Sequence, residues 1–148
     1  MKFIASLTLA VASLAMAFPA LAQFAKNEDA IKYRQSALTV MGHHFGRLGA
    51  MANGKIPFDA KAAQENAEIV AEMAKLPWAG FVAGAESPKA LPEIWKDAAK
   101  FKEHSDKLVA EAAKLVVAAK VGNVDTLKTA FGATAGTCKA CHDAFKAK

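Results

Sequence analysis

One stretch of this chain sets a residue of inward type at almost unbroken steps of four and three: Ile94, Ala98, Phe101, Ser105, Leu108, Ala112, Leu115 and Ala119. A repeat of seven residues sustained this long belongs to a helix packed along its whole length against other helices. The spacing predicts a helix from Pro92, a favourable first helical residue, to Val121, with Gly122 as its stop. Three further stretches carry a comparable stripe. The first runs from about Glu28 to Ala52, with Asn27 as N-cap and Gly54 just past the end, and presents Ile31, Arg34, Leu38, Met41, Phe45, Leu48 and Ala52. The second starts after Asp59, presents Ala62, Asn66, Ile69, Met73 and Leu76, and stops before Pro77. The fourth, capped by Asn123, presents Val124, Leu127, Phe131, Thr134, Cys138, Cys141 and Phe145. A loop from Pro77 to about Leu91, holding Trp78, Phe81 and Ser87, separates the second helix from the third.

Ala and Lys are abundant and there is a single Tyr, which favours helix over sheet, and no strand pattern competes. The expected fold is all-α, an antiparallel up-down-up-down four-helix bundle. With 53% hydrophobic and 22% charged residues the chain can bury a core, and two cysteines are too few for a disulfide framework. The stripes are rich in Ala, Ser and Thr, which suits either close helix packing or room for a bound cofactor; composition alone does not decide.

The first 22 residues are set aside from the bundle. Lys2 is a positive start, Phe3 to Phe18 is apolar and uncharged, and Ala20-Leu21-Ala22 is a small-x-small cleavage site. This is the pattern of a secretory signal peptide cleaved after Ala22, leaving an exported domain of residues 23–148. A membrane anchor is the competing reading, but the run is short for a bilayer span and ends at Pro19. Nothing later in the chain is apolar enough to span a membrane. The formal charge of +5 falls to +4 without Lys2, and the remaining lysines alternate with acids, as in Lys96-Asp97 and Lys102-Glu103. A mixed face of this kind is solvated, and export argues against nucleic acid as a partner.

The chemistry lies in Cys138-Lys139-Ala140-Cys141-His142, the Cys-x-x-Cys-His pattern of c-type haem attachment. Residues three and four apart on a helix are neighbours, so two thiols on one face can each form a thioether to one edge of a haem. His142, four residues on from Cys138, reaches the iron from the same side. Three other uses of the cysteines compete. A thioredoxin-like dithiol wants its reactive Cys at a helix N-terminus, and this pair lies near a C-terminus. A structural zinc site wants four ligands, and only three are local. A plain disulfide leaves the adjoining His unexplained.

With that motif near the C-terminus of an exported four-helix chain, the sequence resembles the class II cytochromes c, and within them the cytochrome c prime family. The resemblance is carried by Tyr33-Arg34-Gln35-Ser36-Ala37-Leu38, Leu76-Pro77-Trp78-Ala79-Gly80-Phe81, Pro92-Glu93-Ile94-Trp95 and Cys138 to Phe145, and it covers essentially the whole chain after residue 22. It implies one covalent haem c with His142 as axial ligand and an iron left five-coordinate and high-spin, shielded on the open side by Leu38. It implies electron transfer with redox partner proteins and binding of nitric oxide or carbon monoxide rather than enzymatic turnover; no acid, base or nucleophile constellation is visible. It also implies a homodimer through the first two helices, for which Val40, His44 and Met51, off the main stripe, are candidates.

Arg34, on an inward stripe, must be paired, and haem propionates are a fitting partner, with Gln35 adding a hydrogen bond as the resemblance suggests. Snorkelling from the helix end is the alternative. A rival for the iron's sixth position is Met41, one turn from Leu38, or a histidine, which gives a six-coordinate low-spin electron carrier. His43 and His44 point roughly 140° and 240° around the helix from Leu38 and fit a surface or interface better, while the direction of His104 is left open. One departure from the family stands out: four residues after the axial His, where an Arg is frequent, this chain has Lys146. The charge is kept and the planar donor fork is lost.

Overall fold

Some helices of this chain open on side-chain caps, one of them the expected Asn123. Asp59 accepts a hydrogen bond from the Ala62 amide at 2.8 Å and opens α2, Ala60–Met73. Asn123 accepts from the amides of Asp125 and Thr126 at 2.9 and 3.0 Å and opens α5, Val124–Phe145. The computed structural model from which these distances come describes residues 23–148, so the expected signal segment lies outside the described residues. The first helix, α1, spans Asn27–Ala52. Asn27 does not cap it: the residue is already helical, and Lys26 precedes it without a side-chain cap. At the other end Gly54, at φ +67°, lies just past the helix, as expected.

The expected third helix is broken. A short α3, Glu93–Lys96, is followed by α4, Ala98–Lys120, and Pro92 stands just before α3 instead of within it. Asp97 makes the break, at φ −120° and ψ 58°, with its carboxylate accepting from the Lys100 amide at 3.1 Å. A short acidic side chain that caps the following helix in this way competes with continuation of the preceding one. Ala98, expected inward, is therefore exposed. Pro77–Gly80 forms a 3₁₀ turn after α2.

The four long helices close a ring: α1 packs on α2 and α5, and α4 packs on α2 and α5. The core joins Met41, Leu48 and Met51 of α1, Ala63, Ala67 and Val70 of α2, Leu108, Ala112 and Leu115 of α4, and Leu127 of α5. Full burial of an aliphatic side chain of this size contributes about 1.5–3 kcal/mol. The stripe of α2 differs from the expected one. Ala63, Asn66, Ala67 and Val70 face inward, while Ile69 and Leu76 are 36% and 37% exposed. Every buried side-chain nitrogen and oxygen among the described residues has a partner. No helix among them is long and apolar enough to cross a membrane.

Candidate cofactor site

The Cys-x-x-Cys-His motif lies on α5, and α1 packs against that helix. Phe45 of α1 stacks on Phe131 of α5, with ring centres 4.4 Å apart and planes 21° apart. The helices run in opposite directions, so seven residues outward from that stack on each, about 10 Å at 1.5 Å per residue, bring Leu38 level with Cys138. Four more bring Arg34 level with His142. On the other side of the stack the core is closed, and Leu48 and Leu127 are fully buried. On this side Leu38, Cys138 and Cys141 occupy the same inward stripes and remain half-buried.

Both thiols are free. Burial pushes the Cys141 thiol up to about 11, with Cys138 adding to the effect, and burial raises Cys138 as well. Two thiols kept protonated are unlike a reactive dithiol, which needs a stabilised thiolate. No three His, Cys, Asp or Glu side chains among the described residues converge on a point that suits a bare metal ion. His142 lies one turn from the end of α5 with its side chain at the surface. Partial burial of its ring, together with the Lys146 ammonium and against the pull of Asp143, holds it below its ordinary value. A neutral imidazole is the form that binds a metal.

Arg34 is 2% exposed, which ends the snorkelling alternative. Its partners lie within the chain. Nη1 donates to the Gly80 carbonyl at 2.6 Å, Nη2 donates to Ser87 Oγ at 3.1 Å, and the guanidinium sits 4.5 Å from the centre of the Phe81 ring. Burial lowers its affinity for a proton, opposed by nearby Glu86. Gln35, by contrast, is exposed beside it. No local pattern points to Gly80 or Ser87 as partners, because they stand 46 and 53 residues away.

The aromatic residues form a chain at the same end. Phe81 meets the edge of Phe101 at 4.8 Å, and Phe101 meets Phe145 at 5.2 Å. Trp78 lies over Phe81 and donates from its indole to Ala74 O at 2.6 Å. The rival ligands are placed as follows. Met41 is 8% exposed and belongs to the core. His43 is exposed, His44 shares a hydrogen bond with Asn66 Oδ1 at 2.8 Å, and His104 meets Phe145 edge-on at 5.5 Å. Met51, a candidate for a dimer face, is instead 3% exposed within the core, whereas Val40 is 42% exposed.

These residues fit a covalently held haem c. Two half-buried thiols three residues apart share one face of α5, the His142 imidazole stands at the surface one residue on, and Leu38 of α1 is half-buried at the same level. Arg34 supplies buried positive charge at the rim. Of the five N–H donors of its guanidinium, two are engaged and three remain for a carboxylate.

Comparison with known proteins agrees. Residues 29–146 match the family profile described as Cytochrome C'. The chain is 50% identical over 129 residues to cytochrome c' of Rubrivivax gelatinosus, across 85% of this chain and 100% of that protein. It is 48% identical over 126 residues to cytochrome c' of Alcaligenes xylosoxydans xylosoxydans, across 85% of this chain and 99% of that protein. The crystal structure of the Rubrivivax gelatinosus protein superposes with a TM-score of 0.81 at 49% identity, covering 84% of this chain and 100% of that one. A nitric oxide complex of a leucine-to-alanine mutant of the Alcaligenes xylosoxidans protein does so with a TM-score of 0.81 at 47% identity, covering 85% of this chain and 99% of that one. The chain belongs to the cytochrome c' family, four-helix c-type cytochromes whose cofactor is covalently bound haem c.

Proposed function

We propose that this chain is a periplasmic cytochrome that carries electrons and takes up small diatomic gases on one face of a five-coordinate haem, without turning over a substrate. The observation that carries the reading is the level pairing of Leu38 on α1 with Cys138 on α5, fixed by the Phe45–Phe131 stack. In this reading Cys138 and Cys141 hold the cofactor by two thioethers, and His142 is the axial ligand from α5. Leu38 of α1 stands level with them, and an aliphatic group offers no lone pair to a metal. Bound haem c supplies the iron that accepts an electron or a neutral gas.

The chain's own residues then decide which gases suit the site. Leu38, Trp78 and Phe81 offer no hydrogen-bond donor directed at a ligand, since the Trp78 indole is already bound to Ala74 O. Dioxygen gains most from such a donor, whereas nitric oxide and carbon monoxide depend on it less. The nitric oxide complexes of the Alcaligenes xylosoxidans protein support the extension to this chain. Arg34 would hold a propionate through donors left free by its bonds to Gly80 and Ser87, with Gln35 beside it at the surface. Residues 1–22 are the signal that directs export, cleaved after Ala22. The exposed Val40 belongs to a homodimer face formed by α1 and α2.

The test is the optical spectrum of the purified ferric and ferrous protein, with and without nitric oxide. A high-spin spectrum that changes on addition of the gas is expected. A low-spin ferric spectrum that survives Leu38→Ala and is lost in Met41→Ala would replace this reading with a six-coordinate carrier.

A further inference from the structure

The segment between the 3₁₀ turn and α3 is anchored at both of its ends, and the two anchors are the helices that carry the site. At its start Gly80 sits directly on α1: a Cβ there would lie 2.6 Å from Ala30 O and 2.8 Å from Arg34 Cβ. The Gly80 carbonyl and Ser87 Oγ take two donors of Arg34, and the Phe81 ring packs under the same guanidinium. At its end the Leu91 amide donates to Phe145 O at 3.0 Å, and the Ala147 amide donates to Lys89 O at 3.2 Å. The segment thus runs from one turn before Leu38 to one turn after His142.

Between the anchors the segment is held by few bonds besides those of Arg34: the Trp95 indole donates to Val82 O at 3.1 Å, and the Ala85 and Ala90 amides donate to Val82 O and Ser87 O at 3.1 and 2.9 Å. Val82, Ala83, Gly84, Glu86, Pro88 and Lys89 are exposed, and only Ala85 is fully buried. A segment with few buried contacts opens locally at a cost set by its few fixed bonds. Arg34 supplies two of those bonds from a single rigid fork, whose planar geometry ties Gly80 and Ser87 to each other as well as to α1.

We infer that Arg34 and Ser87 form a latch that holds residues 81–91 along the side of the cofactor site, and that Ser87 and Gly80 are positioning residues that set how fast a small ligand enters and leaves. The gas-entry part rests on the function proposed above. Ser87 acts through Arg34 and Phe81 and has no contact with the ligand. The latch therefore governs the two rates together and leaves their ratio alone.

The experiment uses the haem-loaded full domain as wild type, Ser87→Ala and Gly80→Ala. Hydrogen–deuterium exchange is followed for the amides of 81–91 against those of α2, and carbon monoxide association and dissociation are measured by stopped flow. Loss of the Ser87 hydrogen bond is expected to speed exchange of the 81–91 amides about fivefold, the worth of one hydrogen bond, with α2 unchanged. Both carbon monoxide rates are expected to rise about three- to tenfold in each variant, at constant equilibrium affinity. Wild-type exchange rates over 81–91 in Ser87→Ala overturn the latch, whatever Gly80→Ala does. A change in affinity carried by dissociation alone overturns the positioning role, since it means that Ser87 acts on the bound ligand. A protein that takes up no carbon monoxide overturns the gas-binding function, and exchange alone then decides the latch.

Discussion

Phe131 lies so close to Gly49 that a methyl group on the glycine would meet the ring's Cζ at 2.7 Å. This is the closest approach of α5 to any helical glycine of the structure among the described residues, and it brings the two site-bearing helices into contact. Gly49→Ala forces the Phe45–Phe131 stack to shift and is expected to destabilise the protein by about 1–3 kcal/mol. Gly132→Ala, where nothing lies within 4 Å, is expected to stabilise it by about 0.5–1 kcal/mol through helix propensity alone. Thermal unfolding followed by circular dichroism, run on both variants, checks the opposite signs.

The two side-chain caps that open α4 and α5 are separable. Asp97→Ala leaves the Lys100 amide without its acceptor, and Asn123→Ala does the same for Asp125 and Thr126. Each is expected to cost about 1 kcal/mol. The two losses are expected to add in the double variant, because the caps share no partner. Denaturant midpoints for the three variants test this.

Before haem attachment the two thiols are poor nucleophiles. With Cys141 raised from 9.0 to about 11, its thiolate fraction at pH 8 is about 100-fold below that of an ordinary cysteine. Iodoacetamide is therefore expected to label it about 100-fold more slowly in the folded haem-free chain than in denaturant. The sign for stability follows from a folded value above the unfolded one. The thiol's contribution is whole below pH 9 and is lost as the pH rises toward 11. His142 works in the opposite sense. Held below 6.5 in the fold, it weakens the haem-free chain as the pH falls through that value.

Leu38 and Met41 are three residues apart and are expected to part company under mutation. Leu38 is half-buried over the site, so Leu38→Ala is expected to cost about 1–2 kcal/mol and to speed gas binding. Met41 is core, so Met41→Ala is expected to cost about 2–5 kcal/mol and to leave the ferric spectrum unchanged. Calorimetry and spectroscopy on the same two samples decide both points.

The parts of this molecule written locally were legible in the sequence. The start of α2 after Asp59, the cap at Asn123, the glycine past α1 and the Cys-x-x-Cys-His spacing each depend on residues within a few positions of one another. The inward phase of α2 was not legible. Its buried face is mostly alanine, so the larger Ile69 and Leu76 drew the expected stripe partly off that face, while Asn66 and Met73 lie on it. The break at Asp97 was hidden by a repeat that continues through it in register. Arg34 was expected to be buried and paired, but its partners at Gly80 and Ser87 come from a distant turn that no periodicity connects to α1.

The Phe45–Phe131 stack acts as a rivet, and the outer halves of α1 and α5 act as the arms of a pair of tongs. Arg34 is eleven residues from the rivet, roughly 16 Å along the helix, so a tilt of about 5° at the stack moves the tip by roughly 1.4 Å. In the reading proposed above, the width of the jaw at Leu38 and Cys138 is therefore adjustable from a position seven residues away on each helix. Substitutions at Phe45, Gly49 or Phe131 offer a way to change that spacing without altering Leu38, Cys138, Cys141 or His142.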